Sequence, residues 1–411
     1  MKYHFDELIN RRNTGCVKWD EPTTTVPDPS ASGPTSGPDI LPLWVADMDF
    51  PVAPAIQEAI LRRAQHPVFG YTYVQDDYYD TVISWFQRRH HWTIPREWIQ
   101  YTIGVVPAMS VAIKALTMPG EKVLILSPDY NCFFSSVRNN GCEVLECVLQ
   151  FCRNSNRFEV DWPSFEASCA DEKTTVFLLC NPHNPTGRVW TREELQRMAD
   201  ICHKHHVRIV SDEIHCELVM PGYTFCPMGT VDADAIILNS PSKSFNIAGL
   251  MMANIICQDA ATRRRLDRAI NINEVCDVNP FAPEAVKAAY NESEDWIDAL
   301  NLYLWDNYRA LCDFVAKNIP LWRVMPLEGT YLVWVDVSAA TTPDADASGV
   351  SSVCCDSVAT YCDHILREAR VWLNPGTMYG PQSGEGYLRI NIACPRSLLM
   401  EALERIKNIK K

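Results

Sequence analysis

Five short runs are apolar at nearly every position instead of every second one: KVLIL (122–126), TVFLLC (175–180), VRIVS (207–211), AIILN (235–239) and ANIIC (253–257). Successive side chains of a strand face opposite ways, so such runs predict strands covered on both faces. Between them lie amphipathic stretches such as TREELQRMADICHKHH (191–206), which predicts a helix; Thr191 and Glu194 have the spacing of a capping box. This alternation predicts an α/β fold with a mostly parallel sheet between helices. After about residue 285 long helical stretches give way to TYLVWVDV, a further helix and YLRINIA, a second, smaller α+β domain. The expected organisation is an N-terminal arm and loop over 1–45 contributing to the small domain, a large domain over 46–285, and the rest of the small domain over 286–411. Thr23–Pro38 and Ser338–Ser357, rich in Pro, Ser, Thr, Gly and Asp, predict surface loops that carry no chemistry.

Length and charge narrow the function. The 411 residues leave room for two or three globular units. With 37 Lys and Arg against 51 Asp and Glu, the net charge of −14 argues against a general grip on nucleic acid or anionic membrane, and a small-molecule partner is expected. The 17 cysteines include no CxxC pair, which removes the usual zinc and thioredoxin signatures, and several sit in apolar runs as reduced thiols do. The His203, His205, His206 group invites a metal, but at the end of an amphipathic helix it reads better as cations favoured by the dipole, and no metal is expected. The start MKYHFDELINRR carries charges where a signal peptide is apolar, and no apolar run nears the roughly 20 residues of a membrane span. A cytoplasmic protein is expected.

In an open parallel sheet, ligands bind beyond the carboxyl ends of the strands. There the sequence places Asn181 after VFLLC, Asp212 after VRIVS, and Ser240, Ser242 and Lys243 after AIILN. A lysine among strand-end polar residues can fall below its usual pKa of about 10.4, and a neutral amine is a nucleophile towards an aldehyde. Singly, each residue also has a plain reading: a surface lysine, or an Asp that caps a helix. GVVPAMSVAIKAL (104–116) opens a helix whose first N–H groups, at Gly104, Val105 and Val106, suit a phosphate. Neither GxxxxGK nor GxGxxG occurs, so nucleotide cofactors lose support.

Taken together these segments resemble a known family. CNPHNPTGR, SDEIH and SPSKSFNIAGL resemble the class I/II aminotransferase group of fold-type I pyridoxal-phosphate (PLP) enzymes. With LPLWVADMDF (41–50), FGYT (69–72), GVVPA, EGTYLVW, LNPG and LRINIACPR, the ordered set resembles the cystathionine β-lyase (MalY/PatB-type) branch, from about residue 3 to 408. The resemblance implies a seven-stranded, mostly parallel sheet, pyridoxal 5'-phosphate as cofactor, and a homodimer with shared active sites. It makes Lys243 the Schiff-base lysine and Asp212 the partner of the pyridinium nitrogen. Asn181 would hydrogen-bond the ring hydroxyl oxygen and Tyr130 would stack on the ring. Val105, Val106, Ser240 and Ser242 would hold the phosphate, aided by Tyr71 of the neighbouring subunit. Arg389 would take the substrate carboxylate as a bidentate fork. Outside such motifs, the two tyrosines would read as packing aromatics and Arg389 as a structural ion pair.

Two positions depart from general aminotransferases and match the lyase branch: Met251, where many carry a phosphate-binding arginine, and His215, where they usually carry tyrosine. The implied reaction is β-elimination from L-cystathionine or a related cysteine S-conjugate, giving thiol, pyruvate and ammonia. Lys243 would remove the α-proton, and Lys243 or Tyr130 would protonate the thiolate. An aminotransferase is the alternative, and a non-catalytic PLP-binding protein a third reading. Trp44, Tyr331 and Tyr379 are candidates for the leaving-group pocket. The two loops and the many cysteines suggest a bulky conjugate as substrate.

Overall fold

The computed structural model describes residues 3–21, 40–341 and 355–409. The apolar runs form the middle of a seven-stranded sheet: β1 (Ile99–Thr102), β2 (Lys122–Ser127), β3 (Glu143–Val148), β4 (Thr174–Cys180), β5 (Arg208–Asp212), β6 (Ile236–Asn239) and β7 (Ala253–Ile256), in the order β1-β7-β6-β5-β4-β2-β3. Their uniform hydrophobicity has the expected cause. In β2, Val123 and Ile125 enter one core with the helix Val105–Leu116, while Leu124 and Leu126 enter the core on the opposite face. In β4, Val176, Leu178 and Cys180 go to the first core and Phe177 and Leu179 to the second.

Only β7 runs against the rest, antiparallel to both β1 and β6. A parallel return needs a crossover of a dozen or more residues, usually a helix. Residues 240–252, between β6 and β7, hold only one short 3₁₀ turn, Ala248–Leu250, so the chain doubles back. Lys243 lies in that return. Cys180, Asp212 and Leu238 share one rung across β4, β5 and β6, which brings three strand ends to the same rim.

The smaller unit has an antiparallel sheet of β8 (Arg323–Val324), β9 (Leu332–Asp336), β10 (Asn374–Pro375) and β11 (Tyr387–Asn391), in the order β8-β9-β11-β10. Helices Val358–Ala369 and Arg396–Lys407 belong to it, and Leu41–Pro42 pairs in parallel with Val371–Trp372, which ties the N-terminal stretch here. The boundary expected between residues 285 and 286 falls inside the helix Ala282–Glu292. That helix packs on Pro54–Ala64 and Asp76–His90.

The stretch 23–38 lies outside the described residues. Of 338–357, Ser338–Thr341 is one helical turn and Ser357 caps the next helix, so the ends of that expected loop have structure of their own. Thr191 and Glu194 form the capping box at the head of the helix Arg192–Lys204. The helix ends before the last two histidines; His203 bonds Asp232 at 3.0 Å and His205 lies 3.7 Å from Glu166. Among the described residues no helix is long and apolar enough to cross a membrane.

Trp85 packs the helix Asp76–His90 against the helix Ala282–Glu292. Fully buried, it stacks on Tyr290 at 4.6 Å and donates from Nε1 to Glu217 Oε1 at 2.7 Å. Trp85→Ala is expected to cost about 3–5 kcal/mol, read as a lower midpoint in chemical denaturation.

Candidate active site

The strand ends enclose a cavity of about 230 Å³. Val105 and Val106 line one side, and they open the helix Val105–Leu116 with no capping side chain. Gly104 enters that helix at φ +152°, a backbone state that L side chains rarely adopt. Pro107 has no N–H and Ala108 bonds back to Gly104, so the donors this helix end offers are those of Val105 and Val106. Ser242, Met251, Ile214 and His215 extend the wall, and Tyr130 closes it. Lys243 is the one cationic side chain among the cavity's described walls.

Lys243 Nζ donates to the main-chain oxygen of Ala46 at 2.7 Å. Burial, against the opposing pull of Asp47 and with a smaller push from Arg389, holds the amine below its ordinary pKa. Asp212 ends β5 facing the same cavity, buried and bonded at its carboxylate by Ile214 N at 3.1 Å. Burial pushes its pKa up to about 7 against the smaller pull of Lys243, a carboxylate with no ion-pair partner among the described residues. His215 is buried, its Nδ1 has no hydrogen-bond partner, and burial with the charges of Lys243 and Arg389 holds it neutral, with a pKa of about 3. The half-buried Tyr130 phenol is raised well above its usual value by desolvation, and it hydrogen-bonds the Cys132 thiol.

Arg389, in β11, reaches over from the smaller sheet. Its guanidinium donates to Asn184 Oδ1 at 3.2 Å and Trp44 O at 2.9 Å, lies 4.6 Å from the Tyr379 ring centre, and keeps one buried nitrogen, Nε, without a partner. Both partners it holds are neutral oxygens.

Other expected residues stand elsewhere. Ser240 is buried, spends its hydroxyl on Met252 O at 2.6 Å and accepts from Ser242 N at 3.1 Å; it shapes the turn and is not a wall of the cavity. Asn181 turns its amide nitrogen away, to Cys226 O at 3.0 Å and Glu213 Oε1 at 3.4 Å, leaving Oδ1 buried and unpartnered. As placed it has no free donor for a ring hydroxyl oxygen. The Trp44 ring stacks on Trp372 at 4.9 Å and leaves the cavity; its carbonyl is what touches Arg389. Tyr331 is buried with its hydroxyl on Ala46 O at 2.9 Å and its ring edge-on to His215. Tyr379 accepts from Asn374 Nδ2 at 3.0 Å. Tyr71 is 98% exposed in the single chain, beside exposed Val68, Phe69 and Tyr73.

Sequence reasoning missed Ala46, whose carbonyl receives both Lys243 and Tyr331. It also missed Asn184, which faces Arg389, and Glu213, which holds Asn181. A main-chain acceptor leaves no mark on residue type, although LPLWVADMDF already stands out as a motif.

With this geometry in place, comparison with known proteins is informative. The family described as aminotransferase class I and II matches residues 38–406. Cystathionine beta-lyase PatB of Bacillus subtilis is 36% identical over 409 residues, covering 98% of this chain and 99% of its own. The crystal structure of cystalysin from Treponema denticola, which contains a pyridoxal 5'-phosphate cofactor, superposes with a TM-score of 0.90 at 33% identity, over 100% of this chain and 99% of that one. The PLP-bound C-S lyase of Staphylococcus hominis gives 0.86 at 31% identity, with 98% of each chain covered.

The buried carboxyls predict a pH signature. Asp212 at about 7 and Glu213 at about 8 both stand above their unfolded values, so the folded state holds extra protons and loses stability as pH rises through these values. His183 and His215, at about 3 from 6.5, act in the opposite sense, but only below about pH 6.5. Between about pH 6.5 and 8 the thermal midpoint of the ligand-free protein is therefore expected to fall, and to fall less in Asp212→Asn and in Glu213→Gln. Equal slopes in parent and variants would contradict it.

Proposed function

Because the chain belongs to the class I and II aminotransferase family, we propose that it is a PLP-dependent carbon-sulfur β-lyase, cleaving L-cystathionine or a related cysteine S-conjugate to a thiol, pyruvate and ammonia. One observation carries the reading: a half-buried lysine held below its usual pKa and a buried carboxylate with no ion-pair partner line the same cavity, which ends at an uncapped helix.

These residues fit pyridoxal 5'-phosphate. Asp212 would gain a direct ion-pair partner by facing the ring nitrogen. The N–H groups of Val105 and Val106, with Ser242, would hold the phosphate. Tyr130 and His215 would bound the ring, and Lys243 would carry it covalently. When bound, the cofactor supplies an electron sink for a carbanion at the substrate α-carbon. Asn181 joins this set only by turning its amide away from Cys226 O, and Ser240 acts through the turn it holds.

The chain's own groups then divide the work. Arg389 exchanges two neutral oxygens for the substrate carboxylate, a stronger charge-assisted fork. Lys243 Nζ, held below its ordinary pKa by desolvation, takes the α-proton. The thiolate leaving from the β-carbon is protonated by Lys243 or by Tyr130, whose phenol keeps its proton in this setting. The Tyr331 hydroxyl shares the Ala46 carbonyl with Lys243, which restricts where the amine can swing.

A second copy of the chain completes the proposal. Val68, Phe69, Tyr71 and Tyr73 form an exposed apolar stretch that a homodimer would cover, with Tyr71 reaching the partner's phosphate. We place the enzyme in the cytoplasm, a reading supported by the 16 described cysteines, all present as free thiols.

Three measurements check this reading. PLP-loaded protein given L-cystathionine without a keto acid is expected to release pyruvate, ammonia and thiol in equal amounts, and Lys243→Ala to lower the rate by at least about 10²–10⁴-fold. Keto-acid exchange in place of release would make it an aminotransferase. Arg389→Lys is expected to lower kcat/KM by roughly 10–150-fold, mostly through KM. By sedimentation the protein should weigh twice 46.6 kDa, and Tyr71→Ala should weaken PLP binding.

A further inference from the structure

Asp47 is held from several sides by groups with no part in the proposed reaction. Arg11 grips its carboxylate at 2.6 Å and 3.2 Å and also reaches Asp49 at 2.7 Å. Lys18, fully buried, bonds Asp49 at 2.7 Å and lies 3.7 Å from Asp47 Oδ1. Trp19 Nε1 donates to Asp49 at 2.8 Å, and Asn391 Nδ2 to the Asp47 carbonyl at 2.7 Å. The N-terminal stretch is itself cinched by Asp20, whose carboxylate accepts the N–H groups of Asn13, Thr14, Gly15 and Cys16. A buried lysine and a shared arginine are costly to assemble, and they converge on the residue next to Ala46. Ala46 is the acceptor of Lys243.

We infer that Asp47 is a positioning residue for Lys243: clamped by Arg11 and Lys18 of the N-terminal stretch, it fixes the Ala46 carbonyl against the lysine and sets a negative charge beside it. The inference rests on the reading of Lys243 given above. The charged and titratable groups facing that amine are Asp47 from the loop, Asp212 and His215 after β5, Arg389 of β11 and Cys132 at the start of the Asn131–Asn139 helix. Asp47 and Asp212 are the two carboxylates favouring a proton there; Asp212 would also serve the ring nitrogen in the proposed complex, whereas Asp47 keeps its place beside the lysine under the Arg11 and Lys18 clamp.

The test is a pH titration of the visible absorption band of the PLP-loaded dimer, which reports protonation at the Lys243 nitrogen. Asp47→Asn removes the charge, keeps the shape and is expected to move the midpoint to lower pH, while Asp47→Glu restores it towards the parent value. A merely structural role would lower the thermal midpoint and leave the titration in place; that result, or an equal shift in Asp47→Glu, overturns the inference. In Lys243→Ala the titrating band is expected to vanish. Its survival would overturn the lysine assignment itself, whereas its loss with an unmoved Asp47→Asn midpoint overturns only the role of Asp47.

Discussion

The active-site region depends on pairing the main chain of one irregular loop, residues 44–50. Buried carbonyls must find donors, and this stretch has no ladder of its own to supply them. The donors come from around it: Arg389 and Asn374 bond the Trp44 carbonyl, Asn391 those of Val45 and Asp47, Lys243 and Tyr331 that of Ala46, and Asn246 those of Met48 and Phe50. Arg389, Asn374 and Asn391 belong to the smaller sheet; Lys243 and Asn246 belong to the return between β6 and β7. One loop thereby sets the distance between the proposed carboxylate fork and the proposed catalytic amine.

The cavity beside that loop is an unfavourable place for charge, and its chemistry follows from that. Asp212, Glu213, Lys243 and His215 are each shifted first by burial, every one towards its neutral form. Such a site holds free energy that a complementary charged ligand releases on binding. The protein accepts that cost near the strand ends and offsets it with fully apolar layers on both faces of the sheet.

Much of this was legible in the sequence, and the exceptions have physical reasons. Runs such as TVFLLC announce a doubly covered strand because both faces must be apolar, and Asp212 and Lys243 follow from where such strands end. The direction of ANIIC was not legible, since an antiparallel strand buried on both faces reads the same as a parallel one; only the short return before it gives the difference. The buried pair of Lys18 and Asp49 was not legible either, since the two stand 31 residues apart and nothing local marks them. Asn181 shows the limit of a motif: the residue type is as expected, but Cys226 O and Glu213 decide where its nitrogen points. Ser240 and Trp44 err in the same way, standing next to the chemistry with their side chains otherwise engaged.

The acceptor for Lys243 is a peptide oxygen, and that has a consequence for how this enzyme can change. Replacing the side chain at position 46 alters bulk but cannot delete the carbonyl, so the contact is shielded from the commonest kind of mutation. Loss has to come through the loop's path, by altering Asn391, Asn246 or the Arg11 and Lys18 clamp. Variation at position 46 itself is thus a poor guide to its importance, and the residues whose identity preserves the contact lie far from it in the chain.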